Sequence, residues 1–280
     1  MSDSRSPETD GPLDPATQRR VVRERYARIA MESDQAGDDC CSADGCCSSE
    51  DTGTAGAAET AAQLGYSTAD VESVEGEANL GLGCGNPQAL ASLAEGETVV
   101  DLGAGAGFDC FLAAQRVGET GHVIGVDMTP EMVEKARENA AKNGRENVEF
   151  RLGEIEHLPV ADDSIDVVIS NCVVNLSPDK PQVFREAVRV LRPGGRLAIS
   201  DVVVTADIPE GIRADPNSVA SCVAGAATID RLAEMLAEAG FEQIDISPKH
   251  DSDRFIREWD DEYDVSEFLV SASITARKPA

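Results

Sequence analysis

The sequence predicts an α/β fold, an open and mostly parallel sheet doubly wound with helices on both faces. From about residue 60 onward, strand-length apolar runs alternate with segments of helical periodicity, and such alternation builds parallel sheets with right-handed crossovers. A glycine-rich loop, Gly103 to Gly107, follows the first strand. At 280 residues the chain can bury a substantial core, so one large domain with extensions is expected.

Thr98 to Asp101 is the first strand, and a helix starts near Phe108, after the glycine loop. His122 to Asp127 is the second strand. Thr129 as N-cap and Pro130 in the first turn then open a helix to about Asn143. Val148 to Leu152 and Ile165 to Asn171 are the third and fourth strands. A helix from about Asp179 stops at the breaker cluster Arg192-Pro193-Gly194-Gly195, and Arg196 to Val203 is the fifth strand. After a longer connection, Thr228 to Ala239 forms a helix closed by Gly240. Strands near Phe241–Ser247 and Leu269–Ala276 bring the count to seven.

Upstream, residues 1–20 have the Pro-, Asp- and Ser-rich composition of disordered chain. A short helix from Gln18 to Met31 follows, with partial periodicity in Val21, Val22, Arg25, Tyr26 and Ile29. Cys40-Cys41 and Cys46-Cys47 then sit in a flexible loop of small polar residues reaching about Glu59. The expected division is an N-terminal segment, 1–59, and a folded domain, 60–280.

Acidic residues outnumber basic ones 52 to 24, for a formal charge of −28, and lysine is rare beside arginine, five against nineteen. Such a surface repels nucleic acid and anionic membranes, and it suits a salt-loaded cytoplasm where screening tames its self-repulsion. No stretch approaches the ~20 apolar residues that span a bilayer, and Met1 to Thr17 lacks the apolar core of a secretory signal. The eight cysteines therefore read as cytosolic thiols, which favour metal or redox chemistry over a disulfide framework.

In open parallel sheets, ligands bind outside the carboxyl ends of the strands. Asp101, Gly103, Ala104, Gly105 and Gly107 lie at one such end. The dinucleotide fingerprint would put its third glycine at position 108, which is Phe108. An acidic residue just before the loop suits a cofactor carrying an ammonium group, as S-adenosyl-L-methionine does, where a pyrophosphate would be repelled. Asp127, with Met128 beside it, is placed for ribose hydroxyls, and Gly153-Glu154-Ile155 for the adenine. The alternative is a glycine turn with two capping aspartates and no ligand. Asn171-Cys172, ending the fourth strand, points a thiol at the same crevice. Cys84 and Cys222 flank the strand-and-helix run, so the three suggest a soft metalloid held by thiolates beside the cofactor. Cys110, among Phe108, Phe111 and Leu112, reads as a buried core thiol.

The runs Asn79 to Pro87, Gly107 to Leu112, Gly125 to Met132, Arg151 to Glu156, Ser170 to Leu176 and Cys222 to Ala226 resemble those of the arsenite methyltransferases. These belong to the class I S-adenosylmethionine-dependent group. The resemblance covers roughly residues 20–245. It implies a Rossmann-like, seven-stranded sheet with its last strand antiparallel, and arsenic-binding elements around 79–87, 170–176 and 205–227. It also implies that Cys84, Cys172 and Cys222 bind trivalent arsenic and serve catalysis. Asn171 would line the cofactor site. Arsenite or its thiol conjugates would be the substrate, with a thioredoxin- or glutathione-type reductant. Apart from the resemblance, a monomer is expected, and the lack of a signal or spanning run places it in the cytoplasm. An N-terminal cysteine of the family assists with substrate or redox cycling. Here Cys40, Cys41, Cys46 and Cys47 are four candidates for arsenic capture, or a solvated reactive tail.

Two rival readings remain at this level. A class I methyltransferase for another small molecule would need apolar pocket walls rather than convergent thiols. A non-enzymatic arsenite-binding protein would not need the Asp101–Gly107 loop and Asp127.

Overall fold

The computed structural model describes residues 13–35, 54–209, 212, 218–219, 222–249, 251–259 and 263–280. Cys40, Cys41, Cys46 and Cys47 lie outside the described residues. Strands β1 (Thr98–Leu102), β2 (His122–Asp127), β3 (Val148–Leu152), β4 (Ile165–Asn171), β5 (Leu191–Val204), β7 (Glu242–Pro248) and β8 (Leu269–Arg277) form one sheet in the order β3-β2-β1-β4-β5-β8-β7, and the short β6 (Ala227–Thr228) pairs with β5. Strand β8 alone runs antiparallel to its neighbours.

The alternating pleat sorts the core. Val100 and Leu102 of β1, Ile124 and Val126 of β2, and Leu197 and Ile199 of β5 face one layer. That layer holds helices Lys180–Val190 and Ile229–Ala239. Val99, Val123, Val167, Ile169 and Ala198 face the other, which holds helices Gln88–Ala91, Phe108–Val117 and Pro130–Asn143. Helix Lys180–Val190 buries Val183, Phe184, Ala187 and Val190, one apolar stripe. Asp179 caps it by accepting from the Gln182 backbone N–H at 3.0 Å. Across the opposite layer Phe111 meets Phe150 edge to face, centroids 5.8 Å apart.

Four details depart from the sequence reading. The first helix, α1 (Pro15–Gln35), starts inside the stretch expected to be disordered. Asp14 accepts from the Ala16 and Thr17 backbone N–H groups, and Pro15 takes the first turn. Strand β5 begins at Leu191 and runs through Arg192–Gly195, with an irregularity in its pairing to β4. The Gly194 N–H donates to the carbonyls of Lys278 and Pro279, so the chain's tail ties this breaker cluster into the sheet edge. Strand β6, two residues long, is too short for periodicity to reveal, and it makes the sheet eight-stranded. Trp259, in a stretch for which the sequence signals no element, packs on Phe255 with ring centroids 5.9 Å apart. Among the described residues no helix is long and apolar enough to cross a membrane.

Candidate active site

Register alone assembles the site. Leu102 lies beside Val126 of β2 and Ser170 of β4, and Asn171 lies beside Ser200 of β5. The residues that follow in each strand, Asp127, the Gly103–Gly107 loop, Cys172 and Asp201, therefore form a row along the carboxyl edge. Strand order reverses between β1 and β4, and open α/β sheets bind ligands at that switch point. A cavity of ≈ 350 Å³ opens there, within the range of small-molecule sites.

The glycine loop forms the cavity floor. Gly103 has φ +73°, and a Cβ there would come within 2.5 Å of Val173. Gly107 has φ +97°, and a Cβ would press on Phe111 and Phe150 at 2.8 Å. Ala104 and Gly105 also line the cavity. The Gly105 N–H donates to Asp127 Oδ2 at 3.0 Å and the Thr129 N–H to Oδ1 at 2.8 Å, which fixes that carboxylate at the mouth of the loop. Thr129 holds the N-cap position without a side-chain cap.

Asp101, Asp109 and Asp127 all line the cavity. Burial, then Asp109 and Asp127, drives the Asp101 carboxyl well above the usual carboxylate range. Among the described residues the Cys110 thiol, at 3.3 Å, is its one side-chain hydrogen-bond donor. A buried acid so poorly compensated calls for a cation, and the ammonium of S-adenosyl-L-methionine is one. Burial raises Asp127 too and pushes Asp109 up to about 6. Met128 and Ile155 add apolar walls. The donor set thus fits the cofactor.

Three thiols meet at the other side. Cys84, Cys172 and Cys222 are 0, 7 and 3% exposed. Hydrogen bonds with Cys222 and then with Cys84, followed by burial, raise the Cys172 thiol well above its ordinary value. Burial likewise raises Cys84. The Cys222 thiol also donates to the Cys172 carbonyl at 2.8 Å. Cys172 and Cys222 both adopt left-handed backbone, φ +59° and +68°, a conformation costing on the order of 1–3 kcal/mol for residues other than glycine. The Cys172 N–H donates to the Ser200 carbonyl at 2.7 Å, and the Ser271 hydroxyl to the Cys84 carbonyl at 2.6 Å.

Asn171 stands beside this cluster, and its polar atoms are taken by the protein. Oδ1 accepts from the Cys84 N–H at 3.0 Å, while Nδ2 donates to the Gly85 carbonyl at 2.8 Å and to the Tyr66 hydroxyl at 3.0 Å. Its role is to fasten the Cys84 loop to β4, with one edge on the cavity. Glu154 pairs with Arg19 at 3.4 Å and is partly exposed, so Ile155 and Glu156 line the cavity in its stead. Cys110 is fully buried, in accord with a core role.

The structure adds residues that sequence reasoning missed. Arg19, Val22, Arg25 and Tyr26 of α1 roof the cavity, and Trp259 joins its wall. The aromatic on the apolar face of an arginine-rich helix was the available signal. Asp201 has an oxygen within 4.8 Å of the Cys84 and Cys172 sulfurs, and its one sequence signal is an acid inside an otherwise apolar strand. It accepts from Asn175 Nδ2 at 2.8 Å and the Val202 N–H at 2.8 Å, and burial pushes it up to about 6. The Tyr66 hydroxyl donates to Asp109 at 2.8 Å.

A nucleotide-sized crevice, a glycine loop behind a buried acid and a doubly wound sheet define an S-adenosylmethionine-dependent methyltransferase. Residues 93–240 match the family model of a methyltransferase domain. An arsenite methyltransferase of Halobacterium salinarum is 61% identical over 274 residues, 95% of this chain and 68% of its own. That of Homo sapiens is 44% identical over 152 residues, 51% of this chain and 40% of its own. The chain thus spans about two thirds of the first relative and well under half of the second. Among solved structures, an arsenic(III) S-adenosylmethionine methyltransferase from Chlamydomonas reinhardtii aligns with TM-score 0.56 and 37% identity, covering 80% of this chain and 73% of that one. Phosphoethanolamine N-methyltransferase 2 of Haemonchus contortus, in complex with S-adenosyl-L-methionine, shares the fold at TM-score 0.60 and 19% identity, covering 73% and 55%. The chain belongs to the arsenite methyltransferase family.

Proposed function

We propose that this chain methylates trivalent arsenic held by Cys84, Cys172 and Cys222. The observation that carries this is the meeting of three buried thiols at Cys172, on the wall of the cavity whose floor is the glycine loop. Soft thiolates select a soft metalloid.

When bound, S-adenosyl-L-methionine supplies a methyl group activated on a sulfonium. Asp101 receives the ammonium, Asp127 and Met128 take the ribose side, and Ile155 packs the adenine. The three cysteines anchor arsenic so that its lone pair faces the crevice, and holding the reactants together supplies most of the rate. No side chain need act as base, because arsenic brings its own electron pair. Methylation leaves arsenic formally pentavalent. Two protein thiolates return it to the trivalent state by giving two electrons and forming a disulfide. A thioredoxin- or glutathione-type reductant then clears that disulfide. In this reading residues 60–280 are the catalytic unit, residues 1–59 supply α1 and four further thiols, and the enzyme works as a cytoplasmic monomer.

The test is arsenic speciation after incubating purified protein with arsenite, S-adenosyl-L-methionine and a thiol reductant in concentrated potassium chloride. Methylated arsenic that needs both cofactor and reductant is expected. None, from folded and cofactor-binding protein, would transfer the activity to another acceptor.

A further inference from the structure

Helix α1 brings one polar group into the crevice that the proposed chemistry does not yet use. Tyr26 lines the cavity together with Asp127, Cys172, Cys222 and Trp259. Val22, one helical turn earlier on the same face, is buried in the cluster that contains all three site cysteines, so the register of α1 fixes where the phenol points. Among the described residues nothing hydrogen-bonds the Tyr26 hydroxyl. Tyr66 differs, since its hydroxyl is held by both Asp109 and Asn171. The Tyr26 ring is half-buried against that cluster, and a phenol that faces a cavity with its apolar body packed and its hydroxyl without a protein partner is open to a ligand.

The ionisable groups around the phenol say which ligand. In falling order of influence they are Cys222, Cys172, Arg25 and Asp127. Tyr26 also packs against the buried cluster that holds Cys84, Cys172 and Cys222, which sets the phenol toward the metalloid end of the crevice. A phenol keeps its proton at neutral pH in any setting, so the hydroxyl is available as a donor.

We infer that the Tyr26 hydroxyl donates a hydrogen bond to an oxygen of arsenite as it enters, steadying the hydroxide that each cysteine displaces. This rests on the proposed arsenic chemistry at the three thiols. In each exchange an As–O bond breaks and an As–S bond forms. The thiol proton leaves with the hydroxide as water, and no electrons change hands. Tyr26 keeps its own proton throughout and serves as donor to the departing oxygen. Once three As–S bonds exist no oxygen remains, so the tyrosine matters for loading and not for methyl transfer.

Trp259 is the chain's single tryptophan and lines the same cavity, so its fluorescence reports loading directly. The experiment compares wild type with Tyr26→Phe by stopped flow, without cofactor and in thiol-free buffer. Each is mixed either with arsenite or with preformed tris-glutathione arsenite, which has no As–O bond. The loading rate with arsenite should fall about five- to tenfold, the worth of one hydrogen bond. The rate with the conjugate should stay within twofold, as should the Kd for S-adenosyl-L-methionine. Equal losses on both arsenicals would assign Tyr26 to packing, a weakened Kd would assign it to the cofactor, and unchanged rates would remove it from the site. Any of the three overturns the inference. The rates are read without turnover, so a wild type that loads arsenite yet makes no methylated arsenic would sink the proposed function alone.

Discussion

Cys172 is constrained by its position in the chain and by two neighbours. It follows β4 directly, takes a left-handed backbone, and meets both Cys84 and Cys222 through its sulfur. Its peptide N–H is anchored on Ser200, so a change of side chain leaves the loop backbone held. Cys172→Ser should therefore lower methylation at least a hundredfold while the S-adenosyl-L-methionine Kd, measured calorimetrically, stays within about threefold. Loss of cofactor affinity to the same degree would make the cysteine structural. At this scale the sequence revealed the thiols, because cysteines at strand ends and loops stand out. It did not reveal what surrounds them. Asp201 looks like an ordinary residue inside an apolar strand, yet it turns inward beside two sulfurs. Asn171 looked like a cofactor contact, and its amide spans the gap to the Cys84 loop, a contact between residues 87 positions apart.

Helix α1 is the element whose importance periodicity understated. Its pattern is weak because arginines interrupt the apolar face, and those arginines have partners far along the chain. Arg19 reaches Glu154 and the buried Glu156, and Gln18 donates to the Leu176 carbonyl at 3.0 Å. Only the tertiary fold supplies those partners. Arg19→Ala removes the counter-charge of Glu156, a cavity residue, and loosens the roof. Cofactor affinity should drop about fivefold, the value of a partly buried ion pair. An unchanged Kd by titration would mean that α1 does not wall the bound cofactor. Strands β1 to β4 were legible almost to the residue, since each is a short apolar run bounded by turns. The start of β5 was misplaced because Arg192–Gly195 carry every local mark of a loop, while the pairing that recruits them comes from residues 278 and 279.

The whole molecule carries a formal charge of −28, and two of its acids are held at about 6 by burial, Asp109 and Asp201. A carboxyl whose folded value exceeds its unfolded one favours the native state below the unfolded value. That advantage fades as pH rises through the folded value. Lowering the pH from 7 to 5 at constant potassium chloride should thus raise the apo-protein's thermal midpoint by roughly 5 °C. Below about pH 4 the trend reverses, as groups such as Glu186, held low by its hydrogen bond with Arg189, take up protons. A midpoint that falls steadily from pH 7 to 5 in scanning calorimetry would contradict the burial of both acids. The strand order itself has a temporal consequence. Cys84 is among the earlier site residues to be synthesised, yet Ser271, which holds its carbonyl, belongs to the last strand, and β8 lies between β5 and β7. A nascent chain on the ribosome therefore exposes Cys84 long before Ser271, the residue that holds its loop, has been made. The loop that carries this thiol is secured only once β8 has been added to the sheet.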